Sequence, residues 1–178
     1  MKRTQDSALA RPAWAARAPW PAGQARIRQA GSADHAALRD FLTGLSLRTR
    51  YLRFFAGALP ASPAVLHVLA GGRPGVDALV ATRNGAIIGH AMAVDGTGPD
   101  GTAMAEIGVV VADAWQGHGV GSGLLHALAG RARARGATTL AMDVLAENQR
   151  VLAMIAARWP AAWHDRSAAS VTVHARLG

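Results

Sequence analysis

The chain has no cysteine, which excludes a disulfide framework, a thiol nucleophile and cysteine-ligated zinc. Aromatic residues make up 5% and charged residues 17% of its 178 positions, the latter below the roughly 25% usual for globular domains. Glutamate is scarcer still: Glu106 and Glu147 stand alone. No apolar run is long enough to span a bilayer, so a membrane partner is not expected. What is present is an apolar content of 51%, much of it alanine, which excludes a disordered chain. The length suits one domain with a real core. A soluble enzyme or binding domain is the expectation, with the cytoplasm as its compartment.

The formal charge of +8 is unevenly spread. Lys2, Arg3, Arg11, Arg17, Arg26 and Arg28 face Asp6 alone, so residues 1–28 carry +5 of that total. Residues 1–24 read as a flexible basic extension, and residues 25–178 as a single domain. Nucleic acid is an unlikely partner, because phosphate tracking uses a basic stripe on a folded face. Trp14 and Trp20 in the extension are candidate partner contacts.

Beyond Gly23 the chain becomes periodic. Residues 26–30 read as a strand, and Ser32 as the N-cap of a helix bearing Leu38, Phe41 and Leu42. A helix over 49–55 and a Ser62-Pro63 capped helix follow. Asp77–Thr82 and Ala86–Val94 flank Asn84-Gly85, a hairpin signal, and Thr102–Val111 ends in three valines. A glycine-rich turn opens a helix over 120–135, which Gly136 ends. A strand at 138–144, a helix at 148–159 and a last strand at 170–176 complete a mixed α/β (α+β) order with a late β–α–β crossover.

The chemistry concentrates in the turn Gln116-Gly117-His118-Gly119-Val120-Gly121-Ser122, between a strand and a helix. Glycines let the backbone approach an anion and point successive N–H groups at it, with the helix's positive end behind them. That is a pyrophosphate cradle. A P-loop needs a lysine where Leu124 stands, and G-x-G-x-x-G fails at Ser122 or Leu124, although Asp143 lies at ribose-binding distance. A nucleophile elbow fails because Val120 replaces its first glycine. Gln116-x-x-Gly119-x-Gly121 is the pattern that fits. None of the seven histidines supplies a metal site; His118 and His126 lack ligand spacing.

With the valine run before it and Glu147-Asn148 after the next strand, this segment resembles the GNAT superfamily of acyl-CoA-dependent N-acetyltransferases. Residues 45–55, from Leu45 to Phe55, are also similar to a segment of bacterial protein-lysine acetyltransferases. The resemblance implies a mostly antiparallel central sheet flanked by helices and splayed between its fourth and fifth strands. It implies acetyl-CoA as cosubstrate and no metal, with an amine acceptor, either protein lysine or a small molecule. A homodimer is among the partners it suggests. Val109 and Val111 would pair with pantetheine as a further strand, Val110 would lie near the thioester, and Gln116, Gly117, His118, Gly119, Val120, Gly121 and Ser122 would wrap the pyrophosphate. Asn148 would bond the pantetheine arm. His118 stands where many relatives carry arginine.

The resemblance also places a catalytic glutamate at Glu106, which interrupts an apolar strand just before the cradle. A lysine amine is unprotonated, and so nucleophilic, in only about one molecule per thousand near neutral pH, a deficit of ~4 kcal/mol that a base helps to offset. The thiolate is an easier leaving group, and the tyrosine that often protonates it is replaced by Ile155. Tyr51, the single tyrosine, is then a candidate acid, and Tyr51, Arg53, Phe54 and Phe55 are candidates for the acceptor channel. His90 reads as an ordinary core or surface histidine, with the acceptor site as the other possibility. Arg131, Arg133 and Arg135 read as a helix end complementing its dipole, with the CoA 3′-phosphate as the other possibility. A non-catalytic acyl-CoA sensor is the alternative function.

Overall fold

In the computed structural model, which describes residues 25–56 and 61–178, the chain builds outward from a β-hairpin. Strands β2 (Val76–Arg83) and β3 (Ala86–Thr97) meet at Asn84 (φ 48°) and Gly85 (φ 82°). Two successive left-handed residues give the turn whose twist matches the flanking strands. A short β1 (Arg26–Gln29) adds to β2, and β4 (Ala103–Val111) adds to β3, all antiparallel. Helix α4 (Val120–Ala134) then crosses back so that β5 (Thr139–Leu145) lies parallel to β4. The sheet has seven strands in the order β1-β2-β3-β4-β5-β7-β6, with β6 at Trp163–Arg166 and β7 at Ser170–Arg176. It is the mixed, mostly antiparallel sheet expected, and it separates between β4 and β5.

Alternation along the strands feeds two cores. From β2, Leu79 and Ala81 face α4, whereas Ala78 and Val80 face the opposite layer. The first core packs Leu124, Leu125 and Leu128 of α4 against Ile107, Leu140 and Val173. Burying each such leucine contributes ~2 kcal/mol before entropy. The second core packs α1 (His35–Gly44) and α3 (Pro63–Leu69) through Leu38, Phe41, Leu42, Leu66 and Leu69 against Val80, Ile87 and Val110. Between them in sequence lies α2 (Leu47–Phe54), and α5 (Gln149–Arg158) enters the first core through Ile155.

Local signals were obeyed where they were strongest. Ser62 accepts from the Val65 N–H ahead of Pro63, and Gly136 stops α4 at φ 97°. Ser32 behaves differently: it opens a 3₁₀ turn over Ser32–Asp34, and Asp34 accepts the Gly31 N–H at 2.9 Å. Helix α2 begins at Leu47 because Ser46 caps it through the Thr49 N–H. Strand β3 runs to Thr97, since Ala103 is there to pair with it. The basic extension, with Trp14 and Trp20, lies outside the described residues.

Candidate active site

Strand β4 pairs with β3 from Ala103 to Val111 but with β5 only over Met104–Glu106. Past Glu106, the side of β4 that faces β5 has no strand partner among the described residues, and a cavity of about 680 Å³ opens between the two strands. That volume is ordinary for a ligand cleft. Glu106, Val109, Val110 and Val111 line it from β4, Met142, Asp143 and Val144 from β5, and Asn148 and Ile155 from the start and middle of α5. Among the predicted cradle residues, Gln116, Gly117, Gly119, Gly121 and Ser122 also line it.

Gly117 and Gly119 hold φ of 83° and 84°, a conformation that a side chain would strain. Gly119 is the N-cap of α4, so the first N–H groups of that helix have no intrahelical carbonyl to bond and present its positive end. The turn is braced from outside. The Gln116 side-chain amide donates to Thr49 Oγ1 at 3.0 Å and to the Val111 carbonyl at 3.2 Å. Asp113 accepts from the Ser46 N–H, the Ser46 hydroxyl and the Thr49 hydroxyl at 3.0, 2.7 and 2.7 Å. Burial works against the Asp113 charge, but these donors outweigh it and hold its carboxyl below the usual range. Gln116 is thus a strut between the loop, α2 and β4.

Two of the predicted cradle residues keep their side chains out of the cavity. The His118 ring is exposed, lies 3.0 Å from the Gln116 carbonyl through Nδ1, and does not line the cavity. The Val120 side chain is buried in the α4 core. A cation nevertheless reaches the turn: a Cβ built on Gly117 would meet Arg150 Nη2 at 2.5 Å. Arg150 comes from the first turn of α5, too far along the chain for the glycine motif to announce it.

On the other side of β4 the neighbours are different. Glu106 is exposed toward the cavity and sits opposite Val94 of β3. Two residues on, Gly108 receives the guanidinium of Arg53 from α2; a Cβ there would come within 2.0 Å of Arg53 Nη2. Arg53 and Phe55 line the cavity, whereas Tyr51 is 42% exposed and Phe54 joins the second core, so neither of these lines it. The cavity lining therefore gives no support to Tyr51 as an acid. Ile155 fills the position expected of a tyrosine, 2% exposed. His90 is 1% exposed and bonds the Leu69 carbonyl at 2.8 Å. Burial, outweighing that bond and reinforced by the Arg53 charge, pushes it down to about 4, so it is neutral and structural.

Asn148 caps α5, its Oδ1 accepting from the Val151 N–H at 3.4 Å. Asp143 accepts the Thr172 hydroxyl at 2.6 Å. The arginines at the far end of α4 are engaged: Arg131 forks onto Asp77 at 2.6 and 2.9 Å, and Arg135 bridges Asp77 and Asp95. Arg131 and Arg135 are therefore spoken for, and the 3′-phosphate alternative has no support at either of them.

The model of a family described as "Acetyltransferase (GNAT) family" matches residues 45–158. Among solved structures, the GNAT domain of S. lividans PAT superposes with a TM-score of 0.75 at 28% identity, over 86% of this chain and 90% of that one. Ribosomal-protein-alanine N-acetyltransferase from Brucella melitensis gives 0.69 at 22% identity, over 85% and 99% of the two chains. A GNAT superfamily phosphinothricin acetyltransferase from Sinorhizobium meliloti, in complex with AcCoA, gives 0.68 at 20% identity, over 87% and 89%. No curated protein matches the chain.

Proposed function

This chain belongs to the GNAT acetyltransferase family, and on that footing we propose that it moves acetyl from acetyl-CoA to a primary amine, by direct attack in a ternary complex with Glu106 as base. The observation that carries this reading is the coincidence of three features at one gap in the sheet. The unpartnered edge of β4 offers main-chain groups to an extended arm, the Gly117–Ser122 turn offers N–H groups to a diphosphate, and Glu106 stands where the strands part.

In this reading the diphosphate rests on the amides of the turn, beside Arg150, and the pantetheine arm runs along Val109 and Val111 toward Asn148. Acetyl-CoA supplies the activated acyl group. Glu106 takes one proton from the acceptor ammonium and passes it to solvent. The freed amine forms a C–N bond to the acyl carbon as the C–S bond breaks, and the second amine proton ends on the departing thiolate. With Ile155 buried and Tyr51 outside the cavity, that proton travels by way of water.

Glu106→Gln tests the assignment. It leaves acetyl-CoA affinity within about twofold by calorimetry and cuts turnover at pH 7 about 10²–10³-fold, with partial recovery at high pH where the amine deprotonates unaided. Full turnover in the variant removes Glu106 from the reaction. The missing side-chain acid is what favours a second reading, a sensor that binds acyl-CoA without turnover. Coenzyme binding with no thiol release across a broad amine panel selects it.

A further inference from the structure

The arginines of this protein divide by how their charge is met. Arg28 forks onto Asp34 at 2.7 and 2.6 Å, and Arg131 and Arg135 share Asp77. Arg53 differs. It lies in the cavity over Gly108, its Nε is buried without a hydrogen-bond partner, and no carboxylate forms an ion pair with it among the described residues. Withdrawal from water works against its charge, and Glu106 is the acidic group that partly restores it. Its guanidinium lies 4.9 Å over the Phe54 ring, so the charge meets an aromatic face, and a bound carboxylate would add the ion pair that the described residues do not give it.

The strand sets where that anion would sit. Positions 106 and 108 lie on the same face of β4, about 7 Å apart along the strand. Glu106 and the Arg53 guanidinium are therefore adjacent stations on one wall, with Met92 and Val94 of β3 beside them. Opposite charges held one step apart and not joined to each other suit a ligand bearing both signs. Arg150, the other cation lining the cavity, lies at Gly117 at the cradle end, so it does not compete for the same group.

We propose that the acceptor is a small zwitterionic amine of the α-amino-acid kind, its carboxylate paired with Arg53 while its amine faces Glu106. The inference rests on the acetyl-transfer reading above and narrows it. A lysine side chain on a protein surface presents an amine with no carboxylate at that spacing. Gly108 belongs to the device, since any side chain there would displace the guanidinium.

The test measures thiol release by the full chain with acetyl-CoA, using α-amino acids, their amides, the corresponding decarboxylated amines and a lysine-containing peptide. Calorimetry of acetyl-CoA binding runs in parallel. The acid is expected to exceed its amide about 100-fold in kcat/KM, although the amide is the better nucleophile at neutral pH. Arg53→Gln brings the acid/amide ratio to within about threefold of one. Gly108→Ala, which retains the arginine but pushes it aside, lowers the ratio in the same direction. Should Arg53→Gln fail to fold by thermal melt, the wild-type ratio and Gly108→Ala decide. The proposal is overturned if amides or the peptide serve as well as acids, if the ratio survives both substitutions, or if no α-amino acid is acetylated while acetyl-CoA binds. Failure of acetyl-CoA to bind at all is a separate outcome, and it removes the parent reading.

Discussion

The two ends of α4 treat charge in opposite ways. At the C-terminal end, Arg131 and Arg135 are closed onto Asp77 and Asp95, two carboxylates of the neighbouring strands. At the N-terminal end, Gly117 and Gly119 bare the backbone, Arg150 leans over the turn, and the edge of β4 is left without a strand. The first end is closed within the protein, and the second is where we propose that the coenzyme binds. The same contrast separates His90, buried and bonded to Leu69, from Arg53, half-buried with an Nε that has no hydrogen-bond partner. Closed groups in this fold serve stability.

Substitutions at matched positions should break this contrast or sharpen it. The largest effect is expected at the open end. Gly119→Val forces a branched side chain into φ 84° and fills the cradle, and acetyl-CoA affinity by calorimetry should fall about 100-fold, near 3 kcal/mol. Unchanged affinity would remove the cradle from binding.

Next comes His90, whose signature is a pH dependence. Its folded value of about 4 lies below the 6.5 of the free side chain, so protonation favours the unfolded chain. The neutral ring's contribution is complete above pH 6.5 and is lost progressively between there and about pH 4, for a total of ~3 kcal/mol. Chemical denaturation across that window measures it. His90→Asn should flatten the profile, and a profile that keeps its slope rules His90 out.

At the closed end, Asp77→Asn leaves Arg131 and Arg135 without their shared carboxylate. Stability should fall by about 2 kcal/mol with acetyl-CoA affinity unaltered, and a large loss of affinity would mean that the two ends are not separable. The wild-type pair carries its own pH signature. Burial raises the Asp77 carboxyl, but its arginine partners outweigh that and hold it low, so its contribution persists above the ordinary carboxylate range and disappears as pH falls through the depressed value. The smallest effect belongs to Gly130, in the same helix with open space around it. Gly130→Ala should raise stability by about 1 kcal/mol and leave binding as it was.

What could be read in advance follows the same division. The strand–turn–helix around Gly119, the Asn84-Gly85 hairpin and the Ser62-Pro63 cap depend on a few consecutive residues, whose φ preferences and donors act locally. Glu106 stood out because a carboxylate in an apolar strand needs a reason. Strand β6 gave no such signal: Trp163, His164, Asp165 and Arg166 are all exposed, and pairing with β7 is what orders them. Asp113 carried no signal of its own, because its partners Ser46 and Thr49 come from far away in the chain. The difference between Tyr51 and Arg53 depends on which face α2 turns to β4, and that is decided by the whole sheet. Arg150 reaches Gly117 only because α5 starts beside α4.

In the proposed complex, the open end of α4 and the free edge of β4 together hold the coenzyme with its thioester at Glu106. A co-crystal structure with acetyl-CoA tests it most directly. Diphosphate oxygens are expected within hydrogen-bond distance of main-chain nitrogens between Gly117 and Ser122, with the thioester beside Glu106. A coenzyme seated on the Arg131–Asp77 end, or a cradle left empty while the coenzyme binds elsewhere, would contradict it.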